Sequence, residues 1–339
     1  METTNKNKIA MFFSGFFSDR KYRKGVGIKV KAVLFGASRE KRGLVSTIFL
    51  YFVLTSLALV YVAPIISMIV TSFMSFSDLI NPTTNWIPRS FEWSNYQQAW
   101  IALSAWPATL FPEGFTFLES VGRSTLINTL LITLPSAFFQ VFSCAIAGYA
   151  FGRLEFPFKR FFFVLLILVF VVPPQAQIIP LIMAYRDLGI LNTPLVFWGP
   201  AFFGHGVRGS LFVFVFMQFF RKLPKDLEEA AMVDGVNPFM IFLKVMMPLA
   251  KPAFMVVFLF ALVYHWTESM LSSTLYSLFP TFAVRIMMVM NPGAIIGMTI
   301  TSRTVHMATG VIMMAPLLVI YFFTQRTFTE SIERTGLVE

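Results

Sequence analysis

The sequence predicts an all-α, polytopic membrane protein with six transmembrane helices. Hydrophobic residues make up 56% of the 339 residues and charged residues only 13%, whereas a soluble domain carries about a quarter charged residues. Several long segments contain no charged side chain, and an apolar helix of about 20 residues is what crosses the hydrocarbon core of a bilayer. The basic residues gather at the ends of these segments.

Four segments meet the length requirement without any Asp, Glu, Lys or Arg, and two more are weaker candidates. The fourth candidate is interrupted by Arg208, and the fifth is short and continues past Glu268 into Leu271. In chain order the six are residues 43–77, 124–152, 161–185, 188–220, 252–267 and 304–325.

An even number of spans places both chain ends on one side of the membrane. Of the 27 Lys and Arg residues, 21 then lie on that side, and the positive-inside rule predicts that both termini are cytoplasmic. The net charge of +10 does not indicate nucleic-acid binding, because the basic residues do not alternate with aromatics along one face. Membrane lipid is the expected environment.

The chain divides into a basic cytoplasmic extension, residues 1–43, and a transmembrane domain, residues 44–339. A short apolar patch at residues 9–17 could lie on an anionic leaflet, or the extension could be a disordered tail. The first long apolar segment begins too late for a cleavable signal peptide, so we expect it to remain as an anchor. The single Cys144 excludes an intrachain disulfide.

The segment over residues 223–252 lies between the fourth and fifth candidate spans and predicts two short helices joined by a turn. Pro224 opens the first helix, and Gly235 supplies a left-handed cap at its end. Asn237 caps the second helix, with Pro238 at its first position. A long amphipathic loop is the alternative interpretation. The acidic residues in the early turns of the first helix are Asp226, Glu228 and Glu229.

In order and spacing, this segment resembles the EAA signature of permeases of binding-protein-dependent ABC transporters. In that family the loop is a coupling helix that docks in a groove of the ATPase subunit. The resemblance implies that Glu229 pairs with a basic group there and that Gly235 shapes the turn, while Val236 stands where a small Ala is usual. The matching residues, which the resemblance assigns to ATPase coupling, are Glu229, Ala230, Ala231, Asp234, Gly235, Phe242, Pro248 and Pro252.

Further segments are similar to the MalG-like subgroup of carbohydrate importers, namely residues 127–157, 173–194 and 325–328. The resemblance implies a type I importer permease that lies in a bacterial-type inner membrane and carries sugars or oligosaccharides. It further implies a second permease subunit, in a heterodimer, two ATPase subunits and an extracytoplasmic substrate-binding protein. Residues 290–303 resemble a loop that reaches into that binding protein.

The sequence offers no catalytic, metal or cofactor site. No segment fits the phosphate-binding pattern G-x-x-x-x-G-K-[ST], so ATP is expected to bind to the partner ATPase subunits. His205, His265 and His306 lack metal-ligand spacing, and no nucleophile elbow accompanies them. We therefore expect a protein that is not an enzyme.

Polar residues inside apolar segments are candidates for the substrate pathway. Arg208 is the clearest, although it could instead reach the outer interface or pair with Glu268. Gln175 and Gln177 follow a Pro-Pro pair, and Trp266 adds an aromatic face of the kind that binds sugars. Helix breaks at Pro also serve packing alone, so both interpretations of these residues stay open.

A self-sufficient secondary transporter or a membrane enzyme is the rival hypothesis. The first should have inverted repeats and acidic residues at mid-membrane, where only Glu268 is a candidate. The second should have clustered His, Cys or Asp, which the sequence lacks.

Overall fold

The computed structural model describes residues 44–81, 87–104, 125–278, 280–290 and 303–336. Most of these residues are helical and none lies in a β-strand, as predicted for an all-α protein. The predicted extension at residues 1–43, and most of the loop at 290–303, lie outside the described residues. The helices are α1 Leu44–Ser72, α2 Phe76–Ile80, α3 Ser94–Ser104, α4 Thr125–Arg153, α5 Lys159–Val171, α6 Pro174–Asp187, α7 Leu195–Phe202, α8 Gly209–Lys222, α9 Asp226–Val233, α10 Pro238–Ile241, α11 Met247–Leu249, α12 Lys251–Thr267, α13 Met270–Leu275, α14 Phe282–Met290 and α15 Arg303–Gly336, with a π-helical segment Phe242–Met246 between α10 and α11.

The chain divides into two units after Ser67. In the first unit, residues 44–67 form most of α1, and none of their side chains is buried. Most of these side chains are apolar and the others are Ser or Thr, so water is a poor solvent for this surface and a lipid bilayer is a suitable one.

Helix α4 lies at the centre of the second unit, where it packs against α7, α8 and α12. Its buried residues recur every three or four positions and so form one face of the helix. On α8, Phe212, Phe216 and Phe220 occupy every fourth position, and each is at most 1% exposed. The two helices approach closely at Gly148, where an added Cβ would lie 2.5 Å from the Cβ of Phe216. A small residue is therefore required there.

Three helices are single-span candidates by length and composition: Leu44–Ser72, Thr125–Arg153 and Arg303–Gln325. Two bent helix pairs also qualify if each pair is one span. The described residues therefore contain three to five candidate spans, which agrees with a polytopic membrane protein. Six spans stay a prediction. The bent pairs are Lys159–Val171 with Pro174–Asp187, at 102°, and Pro238–Leu249 with Lys251–Thr267, at 80°.

The segment 188–220, predicted as the fourth span, is two helices instead of one. Helix α7 ends at Phe202 and α8 begins at Gly209. Between them Gly204 has a φ of 75° and Arg208 a φ of 60°, and a left-handed residue cannot continue a right-handed helix. In the sequence Arg208 interrupts an apolar segment, and in the structure the turn that contains it also separates two helices.

The helices of the third and fifth predicted spans are also interrupted or end early. The third bends where Pro173 and Pro174 start α6, because Pro lacks the N–H that would continue α5. The fifth ends at Thr267: Glu268 has an extended backbone with φ −69° and ψ 109°. The polar residues that stood out in the sequence thus lie at helix ends.

Adding one methyl group at Gly148 should destabilise the second unit by about 1 to 3 kcal/mol, because α4 and α8 would be forced apart. Gly148→Ala should therefore lower the temperature at which the purified protein loses its folded state. Gly199→Ala is the matched control, since it also lies within a helix and an added Cβ meets no atom within 4 Å. Equal thermal stability of the two variants would contradict this packing.

Candidate functional site

The segment 223–252 folds as the predicted helix, turn and helix. Helix α9 begins at Asp226, two residues after Pro224, and Gly235 follows its end with a φ of 78°. Asn237 caps α10, its side-chain oxygen accepting a hydrogen bond of 2.9 Å from the backbone N–H of Met240. Pro238 is the first residue of α10. The predicted positions of both caps are confirmed.

The outer side of α9 combines acidic and apolar side chains, and we call it the α9 surface. Four of the residues that match the EAA signature, Glu229, Ala230, Asp234 and Gly235, are exposed on it. Large apolar side chains beside acidic groups are typical of a surface that binds another protein. The exposed apolar residues of this surface are Leu227 (40% exposed), Met232 (50%) and Val233 (88%).

The remaining matching residues divide between the core and the surface. Phe242 is 2% exposed, and its ring centroid lies 5.2 Å from that of Tyr149 and 6.1 Å from that of Phe220. Ala231 is partly buried against the same core. Pro252, in the first turn of α12, is also partly buried, whereas Pro248 is exposed. Phe242 and Ala231 thus attach the helix–turn–helix to α4 and α8.

Glu228, the neighbour of Glu229, faces inward. It is 7% exposed, and its Oε1 lies 3.6 Å from Nε of Arg153, the last residue of α4. Arg153 also donates a hydrogen bond from Nη2 to the backbone carbonyl of Leu223. Arg153 therefore connects α4 both to α9 and to the turn that precedes α9.

A cavity of about 600 Å³ lies where several broken helices meet. Its walls are the junction of α5 and α6, the turn between α7 and α8, the end of α12, and α13. Helix ends leave backbone N–H and C=O groups without intrahelical partners, so this cavity is more polar than the surrounding apolar helices. Its polar side chains include Gln175, Gln177, His205, Arg208, Ser210, His265, Thr267, Glu268 and Ser269.

Arg208 lies in the turn between α7 and α8 at the cavity wall. Its side chain is exposed, and its guanidinium carbon lies 5.8 Å from the ring centroid of Tyr264, within range of a cation–π interaction. Glu268 lines the same cavity, but its Oε1 accepts a hydrogen bond of 2.9 Å from the N–H of Leu271. These two side chains form no ion pair in the described structure.

Gln175 and Gln177 line the cavity with Arg208 and Glu268, whereas Trp266 does not. The Trp266 side chain is 1% exposed, and its indole N–H donates a hydrogen bond of 3.1 Å to the carbonyl of Met313 in α15. Its neighbour Tyr264 supplies the aromatic face instead. Successive residues of a helix point about 100° apart, so the sequence alone did not identify which aromatic faces the cavity.

Gln140 of α4 supports the cavity wall from behind. Its side chain is fully buried, its amide donates a hydrogen bond of 2.7 Å to the carbonyl of Val207, and its Oε1 lies 2.7 Å from Nε2 of His265. His265 lines the cavity and is 3% exposed. Gln140 therefore ties the residue before Arg208 to α12.

Sequence reasoning assigned no role to Gln140 or Arg153, and it placed Glu228 only among the acidic residues in the early turns of α9. The rule that selected Arg208, a polar side chain within an apolar segment, also selects Gln140. Glu228 lies three residues before Ala231, a spacing that places both on one helix face. In the sequence, Arg153 was only one of the 21 basic residues that were assigned to the cytoplasmic side. No three His, Cys, Asp or Glu side chains within the described residues lie together so that they could hold a metal ion.

Broken apolar helices around a polar cavity, with an exposed helix–turn–helix beside them, define a membrane transport protein. Residues 144–334, more than half of the chain, match the family described as binding-protein-dependent transport system inner membrane component. The chain belongs to this family. It is thus a permease subunit of an ATP-driven importer located in a membrane, and its role is transport and not catalysis.

Individual relatives agree with the family. The chain is 27% identical over 218 residues to a probable ABC transporter permease protein of Pyrococcus horikoshii, covering 64% of this chain and 72% of the relative. It is 29% identical over 188 residues to the melibiose/raffinose/stachyose import permease protein MelC of Bacillus subtilis, covering 55% and 61%. Its fold is similar to a chain in the crystal structure of a bacterial ABC transporter involved in the import of the acidic polysaccharide alginate. That match has a TM-score of 0.64 and 21% identity, and covers 84% of this chain and 96% of the other.

Gln140→Leu should destabilise the protein, because the Val207 carbonyl and His265 would lose a buried partner at a cost of about 1 to 3 kcal/mol each. Ser143→Ala is the control, since Ser143 makes an exposed hydrogen bond from α4 to the carbonyl of Phe202. Thermal unfolding of the two purified variants checks this. A Gln140→Leu variant as stable as Ser143→Ala would contradict a supporting role for Gln140.

Proposed function

We propose that this chain is a transmembrane subunit of an importer for sugars or oligosaccharides, and that the α9 surface couples it to an ATPase subunit. The observation that carries the proposal is the exposure of Glu229, Ala230, Asp234 and Gly235 on a helix anchored to the core. A rigid helix with an exposed face can transmit the movement of a bound partner to the core, whereas a flexible loop would not.

The sugar assignment is supported by relatives in the same family. MelC is named for the import of melibiose, raffinose and stachyose, and SugB of Mycobacterium tuberculosis, 31% identical over 160 residues, is named for trehalose transport. The cavity suits such substrates, because it presents an aromatic ring, Tyr264, beside amide, hydroxyl and guanidinium groups. The substrate pathway therefore includes Arg208, Gln175, Gln177 and Glu268.

The proposed transporter contains this chain, a second and different permease subunit, two ATPase subunits and an extracytoplasmic substrate-binding protein. ATP binds to the ATPase subunits, and both ends of this chain are cytoplasmic, as the distribution of basic residues indicates. Six spans, with the α9 surface on the cytoplasmic side, complete the arrangement.

Transport follows from rigid-body movement. Closure of the ATPases on ATP brings the two coupling helices together, and the helices attached to them tilt so that the cavity opens to the other side. The free energy for this change comes from the nucleotide. This chain converts the movement of its coupling helix into opening of the cavity to one side of the membrane or the other.

Replacing Glu229 with Ala and Gly235 with Val should release the ATPase subunit. The first change removes a charge from the docking surface, and the second strains a left-handed residue by about 1 to 2 kcal/mol. Co-purification from membranes that contain all subunits measures the effect. Glu155→Ala is the control, because Glu155 is also exposed and acidic but pairs with Lys159 outside α9. Retention of the ATPase by the double variant at the control level would contradict coupling through α9.

Arg208→Ala should reduce the uptake of labelled melibiose or raffinose, whichever the reconstituted wild-type transporter carries, by about tenfold or more. The loss of one charged hydrogen bond accounts for about 1.5 to 3 kcal/mol. Arg186→Ala is the control, since Arg186 is an exposed arginine of α6 that does not line the cavity. Equal uptake by both variants, at equal expression, would exclude Arg208 from the pathway.

The rival hypothesis predicts a different result in the same assay. A secondary transporter would give uptake in vesicles that contain this chain alone and no ATP. Uptake that requires the ATPase subunits, the binding protein and ATP supports the importer, and ATP-independent uptake by the isolated chain would overturn it.

A further inference from the structure

The ion pair between Glu228 and Arg153 connects α9 to α4, the helix whose Gln140 bonds to residues that line the cavity. Arg153 ends α4, and Gln140 lies thirteen residues earlier on the same helix, about 20 Å away at 1.5 Å per residue. Gln140 bonds to the Val207 carbonyl, next to Arg208. One helix therefore carries a polar contact to α9 near one end and a polar contact to the cavity wall along its length.

The pair is well enclosed. The side chains of Arg153 and Glu228 are 4% and 10% exposed, and Tyr149 lies one turn before Arg153 against the rings of Phe220 and Phe242. Water screens such a pair little. If α9 moves, separating the two charges inside this core would leave the Glu228 carboxylate buried without its opposite charge, which is strongly unfavourable. The ends of α9 and α4 must therefore move together.

We propose that Glu228 is a positioning residue that transmits movement of α9 into α4 through Arg153, and that its role is separate from that of Glu229. In this division Glu229, which is exposed, binds the ATPase subunit, while Glu228, which is buried, passes the movement inward. The inference rests on the proposed coupling function. The inference identifies Glu228 and Arg153 as the residue pair that transmits movement of α9 to α4.

The test uses the complete transporter in liposomes, with ATP hydrolysis and sugar uptake measured on the same preparation. Glu228→Gln keeps the size of the side chain and removes its charge. The variant should retain the ATPase subunit and hydrolyse ATP, but sugar uptake per ATP hydrolysed should fall about tenfold, within the range of coupling between two sites. Glu229→Gln is the matched control, and it should instead lose the ATPase subunit.

A second variant distinguishes a loss of coupling from a loss of folding. The double change Glu228→Met with Arg153→Met replaces the pair with apolar side chains, an exchange that buried pairs often tolerate without loss of stability. This variant should assemble and should also show the low uptake per ATP. A Glu228→Arg, Arg153→Glu exchange, which restores opposite charges, should recover part of the wild-type ratio.

Three results would overturn the inference. The first is a wild-type ratio of uptake to hydrolysis in Glu228→Gln, and the second is a wild-type ratio in the double Met variant. The third is loss of the ATPase subunit from Glu228→Gln to the same extent as from Glu229→Gln, which would make both residues part of docking. Failure of the wild-type chain to bind any ATPase subunit would instead overturn the proposed function itself.

Discussion

Hydrocarbon offers no hydrogen-bond partners, so the polar groups of α4 and of the helix breaks around it must be satisfied within the protein. The central helix meets this constraint with a buried polar face. Asn128 donates to the carbonyl of Pro280, Gln140 donates to that of Val207, and the backbone carbonyl of Leu131 accepts from the indole of Trp198. The first two bonds hold irregular segments against α4, and the third holds helix α7 against it. Such bonds are what make a polar cavity stable in an apolar protein.

The same helix joins the two parts of the candidate site. Its close packing on α8 depends on Gly148, and its last residue, Arg153, holds α9 through Glu228. We expect a helix packed this tightly to move as a rigid body, because protein interiors transmit strain. Movement of the α9 surface is thus expected to reach the cavity without any change in the cavity's own local structure.

The sequence predicted the helix class, the membrane location and the α9 turn, because these depend on local chemistry. Gly235 and Asn237 act through their own backbone and side chain, so their positions could be assigned without tertiary structure. The direction in which a residue faces could not be assigned in this way. Glu228 and Glu229 are adjacent and chemically identical, and the residue that gives Glu228 its partner, Arg153, lies 75 residues earlier in the chain. The same limit applied to Trp266 and Tyr264.

The most direct test of the account is the reactivity of a cysteine placed on the α9 surface. Ala230→Cys can be labelled with a membrane-impermeant maleimide, and the natural Cys144 gives little background because it is fully buried. The account predicts labelling from the cytoplasmic side only, with protection when the ATPase subunit is bound. Labelling from the opposite side, or equal labelling with and without the ATPase, would contradict it.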